Sequence, residues 1–549
     1  MLTENQILTG LKNLYNPSVS QSILKSALEY YSEFDGGEDE FISIIKKGIS
    51  RGYAKEAAKL LRILTDDYSF PQLFRLLAEA YEKSSLFAEA AETYIKLLEL
   101  APRVIEYMLG AARNFMNSGE YSAAVKFYQE ALKENGMNPL ALYNLGVCYR
   151  QMENWENAEK YFSVYLQLNP DDANGIYNLG VIKEKQFDFE KAEEFYRLAL
   201  KLNSALPDAH WNLALILLKK RNYAEGWAEF EWRKKMPFYK KNNLRINEWR
   251  GEDLKNKNFL IYSEQGFGDV IQFARFADQA RKRFPSKVTA FVPREIKRLL
   301  RSSNLFDFVA SDSAEIEPEK YDYKVSFLSL PYFTRAGADE IKLESKLFEI
   351  ETLKTFDDNG AINIGLVWKG NPEHENSKFR DINLSDLLNA IGNNNKIKLH
   401  SLHVGEITEE EKRLLARFNV VNYAAEISDF YVSAKIIGSL NVVISVDTAV
   451  LHLSGSMMKE TWALIPFNND WRWGENESVS EWYPTVKIFK QEKLGDWSAP
   501  LKRIKEMLVL LTDGKLSENE RATLESRGAF FLNNGELNKA VRIFTEVAE

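Results

Sequence analysis

A fixed step of 34 residues runs through the first part of the chain. Ala90, Ala124, Ala158 and Ala192 recur at that interval, and four residues beyond each stands Tyr94, Tyr128, Phe162 or Tyr196. A second series, Ala78, Ala112, Gly146, Gly180 and Ala214, keeps the same step. Residues four apart share one face of a helix. Small residues at fixed helix positions let two helices approach closely, and the large aromatics fill the groove between neighbouring pairs. A unit of this length cannot bury its own apolar face, so such units must stack into a quasi-one-dimensional array.

The clearest copy is PLALYNLGVCYRQMENWENAEKYFSVYLQLNP, residues 139–170. Its L-G-x-x-Y, A-x-x-x-F and final Pro170 resemble the tetratricopeptide consensus. Full units are predicted to start near 71, 105, 139 and 173, with a degenerate one around Gly52-Tyr53-Ala54-Lys55-Glu56-Ala57. A sixth begins at Pro207, carries Gly226 where the alanine is expected, and runs into Trp227-Ala228-Glu229-Phe230-Glu231-Trp232-Arg233. It is expected to cap the stack against the next domain. The segment from Gly528, with Ala540 and Phe544, repeats the pattern once more. A lone unit there is expected to pack on the rest of the chain or on another chain.

At 549 residues the chain is too long for one core. Its net charge of -8, with both signs mixed, leaves no electrostatic footprint for nucleic acid. The start, MLTENQILTGLKN, lacks the basic and apolar regions of a signal peptide. The longest apolar candidate, Ile436 to Leu453, is interrupted by Asn441 and Asp447, so no membrane span is expected and a cytoplasmic location is the default. The single cysteine, Cys148, excludes an internal disulfide and reads as a small buried filler. His210, His374, His400, His403 and His452 show no metal-ligand spacing, and no metal is expected.

Between about 255 and 510 the pattern becomes strand-helix alternation. Strands are predicted at 258–262, 287–292, 306–310 and 322–328, then, after a polar interval at 351–360, at 362–368, 397–402, 419–422, 441–446 and 462–466. Helical stretches are predicted beside them, as at 270–283 and 294–302. Such alternation builds parallel sheets with helices on both faces, and two such units in tandem make two lobes with a cleft between them.

Several turns at strand ends carry polar groups. Gln265-Gly266-Phe267-Gly268-Asp269 follows the first strand, but the third glycine of a dinucleotide fingerprint is replaced by Ile271. No nicotinamide cofactor is expected. Asp269 fits two roles, a helix cap or a carboxylate at a ligand site. The strand 362–368 ends in Lys369 and Gly370, and the polar loop beyond has Lys378, Arg380 and Asp381. A cation there can meet a phosphate or simply be solvated. In NVVISVDTAVLHLSG, residues 441–455, Asp447-Thr448-Ala449 starts a helix whose free amides suit an anion, and His452 lies one turn on. That histidine either reaches the same ligand or is packed. Trp471, Trp473, Trp482 and Tyr483 lie within 13 residues. Such density fits core packing, or stacking surfaces for a base or sugar, for which Trp471 and Trp473 are the candidates.

Taken together, Gly268-Asp269-Val270-Ile271 resembles the G-D-V-I turn of bacterial heptosyltransferases, and Asp447-Thr448-Ala449-Val450-Leu451-His452 resembles their D-[ST]-[GA]-x-x-H nucleotide-binding turn. Tetratricopeptide repeats ahead of such a region are similar in plan to O-GlcNAc transferases and bacterial flagellin glycosyltransferases. The resemblance implies a metal-independent, inverting transferase of GT-B fold, with two Rossmann-like lobes and the nucleotide sugar held mainly by the second. It implies Asp269 as catalytic base, Lys369 on the donor phosphate, and Asp447, Thr448, Ala449 and His452 around the donor; Arg380 is expected to add a second fixed cation for the leaving phosphate. Gln265, Gly266 and Gly268 would form the loop at the cleft. Glu460, where many relatives have proline, and Ala449, where glycine is usual, depart from the pattern.

The expected architecture is therefore an α-solenoid at 1–250, a first Rossmann-like lobe at 251–355, a second at 356–512 and a helical pair at 513–549. A superhelix of repeats directly before two catalytic lobes suits a protein acceptor, and the resemblance implies flagellin. Two other readings compete: a non-catalytic scaffold with a degenerate GT-B domain, and a heptosyltransferase-like enzyme acting on glycan.

Overall fold

A computed structural model describes residues 38–67, 70–239, 241–283, 287–352, 360–372, 377–475 and 478–513. His374 and, past Asp513, the helical pair expected over 513–549 lie outside them. The chain divides into two compact units, with the break between Ala209 and His210.

The first unit is a run of antiparallel helix pairs: Glu38–Ser50 with Ala54–Asp67, Pro71–Lys83 with Phe87–Leu100, Ile105–Asn117 with Tyr121–Glu134, Pro139–Gln151 with Trp155–Leu168, and Ala173–Lys185 with Phe189–Leu202. Four of these pairs start at the predicted residues 71, 105, 139 and 173. The starts have local causes. Pro71 and Pro139 occupy the first turn, where a missing N–H costs nothing. Asn138, Asn154, Asp172 and Asp188 each accept a backbone N–H from the first turn of the helix they precede.

The 34-residue series does the packing its spacing implies. Ala90, Ala124, Ala158 and Ala192 have no exposed surface, nor do Tyr128, Phe162 and Tyr196. A Cβ on Gly146 would lie 2.7 Å from the Phe162 ring, and one on Gly180 would lie 2.6 Å from the Tyr196 ring. Tyr94 instead leans across to Gly110 of the following pair, where a Cβ would come within 2.5 Å. Cys148 is buried, and burial pushes its thiol up to about 12, as suits a packing filler.

The second unit opens, from His210, with the rest of the helix Pro207–Lys219, the short helix Tyr223–Phe230 and a single 3₁₀ turn, Glu231–Lys235. Two parallel sheets follow. The first holds β1 (Asn258–Tyr262), β2 (Lys287–Phe291), β3 (Phe308–Ala310) and β4 (Tyr323–Ser326), in the order β3-β2-β1-β4. The second holds β5 (Ile362–Val367), β6 (Ile397–Ser401), β7 (Val421–Asn422), β8 (Val442–Val446), β9 (Thr461–Ile465) and β10 (Val486–Lys490), in the order β10-β9-β8-β5-β6-β7. All pairings within them are parallel. Nine strands lie where the sequence places them, within a residue or two at most ends. β10 is missing from the sequence reading because its run, VKIFK, interleaves lysines with apolar residues.

Both sheets reverse direction once. In the first the chain steps from β1 to β2 to β3, then returns to the other side of β1; in the second it steps from β5 to β6 to β7, then returns to the other side of β5. Ligands of open parallel sheets bind outside the strand ends at such switch points. The polar turns read from the sequence leave β1, β5 and β8, three of the four strands flanking the two reversals.

The tight glycine contacts give a test. Gly146→Ala gains about 1 kcal/mol of helix propensity but forces the buried Phe162 ring to move, at about 1–3 kcal/mol. It is expected to lower the urea midpoint, whereas Gly136→Ala, whose Cβ would meet nothing nearer than 3.8 Å, is expected to leave it unchanged.

Candidate functional site

The loop after β1 is fixed first by its own backbone. Gly266 precedes the helix Phe267–Phe273, and its N–H donates to Asp269 Oδ2 at 3.0 Å. Asp269 therefore caps the helix, as its position suggests. Its other oxygen, Oδ1, accepts from Arg472 Nη2 at 2.6 Å. Both side chains are largely withdrawn from water, at 20% and 11% exposed.

Arg472 was not singled out by sequence. It sits in the 3₁₀ turn Trp471–Trp473 after β9, and every arm of its guanidinium is used. Nε donates to Gln272 Oε1 at 2.5 Å, Nη1 to Asp470 Oδ1 at 2.9 Å, and the cation lies 4.4 Å from the centre of the Trp471 ring. Burial opposes its charge, but Asp470 and Asp269 outweigh burial and raise its pKa. Burial raises the pKa of Asp269, and Arg472 works against that rise.

The turn after β8 meets the same cluster. Asp447 Oδ2 accepts from Trp473 Nε1 at 2.9 Å, and Asp447 Oδ1 is 3.9 Å from His452 Nε2. His452, on the helix Ala449–Ser456, stacks on Trp473 with ring centres 5.6 Å apart, and its Nδ1 pairs with Tyr483 Oη at 3.1 Å. Burial, then Arg472 and Arg275, hold His452 well below the usual histidine range, so it is neutral at physiological pH. Burial and then Asp470 push Asp447 up to about 6. Thr448 Oγ1 lies 3.1 Å from Ser445 Oγ.

Three expectations change in detail. Gly268 does not border open space: a Cβ there would lie 3.0 Å from His452 and 3.5 Å from the Ala449 backbone, so this glycine lets the two helices touch. Gly266, by contrast, has only Asp269 near its missing side chain. Trp471 and Trp473, offered by the sequence as stacking surfaces, are 6% and 2% exposed, with their faces taken by Arg472 and His452. Gln265 lines an open cavity of about 500 Å³ with Phe238, Lys241, Asn242, Ser263 and Glu264.

Lys369 and Arg380 belong to the segment that follows β5. Lys369 Nζ pairs with Glu411 Oε2 at 2.8 Å, and Glu411 also accepts from Trp368 Nε1 and the Thr408 N–H. Burial works against that carboxylate, yet these donors hold it down to about 2. Arg380 is buried, donates to the Asn371 carbonyl and lies near enough to Asp447 to lower its pKa. Among the described residues no ion pair joins Lys369 to Asp269 or Asp447. His400 pairs with Asn363 at 2.7 Å, His403 packs on Trp368, and no cluster of three or more His, Cys, Asp or Glu among the described residues could hold a metal. No helix among them is long and apolar enough to cross a membrane.

Asp447 makes a prediction in pH. Its folded pKa lies above the ordinary 3.8, so between about pH 4 and 6 the folded state binds more protons than the unfolded one, and stability falls as pH rises through that window. Asp447→Asn keeps an acceptor for Trp473 and removes that loss. Melting curves taken from pH 4 to 7 are expected to show the variant gaining roughly 1–3 kcal/mol over the parent by pH 7; parallel curves would contradict this.

Comparison with known proteins locates the repeats. Residues 109–173 and 173–206 match models described as tetratricopeptide repeat. The chain is 23% identical over 337 residues to Protein FlbA of Caulobacter vibrioides, covering 53% of each, so it spans about half the length of that relative. Similar solved structures include MamA of Desulfovibrio magneticus RS-1 (19% identical, 30% of this chain and 97% of that one, TM-score 0.29). They also include a pilF structure of Pseudomonas aeruginosa (22%, 32% and 78%, TM-score 0.28) and a tetratricopeptide repeat protein of Parabacteroides merdae (18%, 36% and 78%, TM-score 0.33). The chain thus carries tetratricopeptide repeats, a protein-interaction scaffold, followed by an α/β region of two parallel sheets.

Proposed function

We propose that the chain is a protein O-glycosyltransferase of GT-B type, moving a sugar from a nucleotide-sugar donor to a Ser or Thr hydroxyl with inversion and without a metal. The observation that carries this reading is the meeting of Asp269, from the switch point of one parallel sheet, with Arg472, Asp447 and His452 from the second. The resemblance to heptosyltransferases in the two turns, G-D-V-I and D-T-A-x-x-H, supports it independently.

On this reading Asp269 accepts the proton of the acceptor hydroxyl as oxygen bonds to the anomeric carbon. The bond to the donor phosphate breaks on the opposite side, and its electron pair leaves with the nucleoside phosphate. Fixed cations must meet that charge, and Lys369 and Arg380 are the candidates. Repeats ahead of the site hold a protein acceptor, and flagellin is the first to test.

One observation favours the rival scaffold reading: Asp269 and Arg472 satisfy each other, and Gly268 is packed against the second sheet's helix. Catalysis then requires Arg472 to loosen its hold on Asp269 when donor binds. Nucleotide-sugar hydrolysis by the purified chain separates the readings, since a scaffold turns over nothing.

Asp269→Asn is expected to lower transfer by roughly 10²–10⁴-fold while the nucleotide Kd stays within about threefold; retained turnover removes Asp269 from the base role. A chain lacking residues 1–206 keeps the second unit whole. It is expected to lose modification of a protein acceptor, read by mass spectrometry, and to keep donor hydrolysis.

A further inference from the structure

The 3₁₀ turn Glu231–Lys235, which ends the sixth repeat, contains an arginine with no exposed surface. Arg233 Nε donates to Glu264 Oε1 at 2.5 Å, Nη1 to Glu231 Oε1 at 2.7 Å and the Phe230 carbonyl at 3.1 Å, and Nη2 to Ser329 Oγ at 2.8 Å. Ser329 Oγ in turn donates to Glu231 Oε2 at 3.0 Å. The Glu264 side chain is also wholly buried, and its second oxygen has no partner. Glu264 is two residues before Gly266 and five before Asp269.

A buried ion pair is a poor source of stability, because apolar residues of the same size fill such a space at lower desolvation cost. A planar guanidinium does fix geometry, since it takes its partners at set angles. Three anchors set the loop. The Ser263 N–H is tied to the Phe291 carbonyl, and the Gly266 N–H to Asp269. Between them Glu264 is tied to Arg233. The helix preceding the arginine supports the other half of the site as well. Trp227, buried on Tyr223–Phe230, meets Phe273 of the Asp269 helix edge-on at 6.0 Å and Trp471, the neighbour of Arg472, at 5.6 Å.

We propose that Arg233, through Glu264, is a positioning residue for Asp269, and that the sixth repeat is part of the catalytic unit. This rests on the reading of Asp269 as base, and the test separates the two.

The full chain is assayed as Arg233→Met/Glu264→Met, which removes both charges together, and as Arg233→Lys, which keeps the charge and loses the fork. Fold is monitored by near-UV circular dichroism and nucleotide Kd. Both variants are expected to bind nucleotide as the parent does, with donor KM unchanged and kcat lower by about 10–100-fold, in the range that small displacements of reacting groups cost. The limb of the pH–kcat profile assigned to Asp269 is expected to shift, which a purely structural role would not cause. A folded variant of either kind with parental kcat and pH profile overturns the proposal. Should the double variant fail to fold, Arg233→Lys alone decides. Absence of transfer by the parent chain, or full transfer by Asp269→Asn, would instead count against the reading of the site itself.

Discussion

The ion pair between Asp269 and Arg472 joins residues 203 positions apart, and the candidate site is organised about it. It ties the loop leaving β1 to the loop leaving β9. Because both partners are mostly withdrawn from water, removing Arg472 would strand the Asp269 carboxylate, at about 3–5 kcal/mol, whereas Arg472 without Asp269 keeps its pair with Asp470. Arg472 is further held by Gln272, Asp470 and the Trp471 ring. Gly268 is the backbone condition for this closeness. A side chain there would bring its Cβ to 3.0 Å from the His452 ring, so the ring and the helix Phe267–Phe273 would have to part by a few tenths of an ångström.

The repeats are stabilised differently, by contacts between segments near in sequence. Glycine and aromatic positions 16 residues apart meet directly, as Gly146 meets Phe162 and Gly180 meets Tyr196. That is why the repeat starts could be read to the residue from spacing alone. Strands in the second unit were nearly as plain, since buried parallel strands are short apolar runs bounded by polar turns. β10 was hidden because lysines at 487 and 490 leave its apolar residues outnumbered by neighbouring loop.

The site was legible only in part. Asp269, Asp447 and His452 stand at strand ends with recognisable neighbours, and topology brings them to one place. Arg472 carried a weak signal, a charge between two tryptophans, but nothing in sequence spacing announces a partner two hundred residues away. The same limit hid Arg233 and Glu264. Sequence could not distinguish a tryptophan offered to a ligand from one packed on a histidine, because both uses demand the same residue. It also could not tell whether Gly268 leaves room or permits contact, since a missing side chain serves either end.

Charge decides where a donor phosphate fits best. Asp269, Asp447 and Asp470 surround a single guanidinium, and burial has already raised the first two pKa values. A phosphate placed among them would add negative charge to a cluster that cannot stabilise what it has. The loop leaving β5 differs: Lys369 and Arg380 face Glu411 and Asp381, at distances of 2.8 and 3.6 Å. Under the proposed reading the leaving phosphate belongs on that side. Arg472 then serves by releasing Asp269, since a carboxylate held at 2.6 Å by a guanidinium is a weaker base than the same carboxylate buried without it.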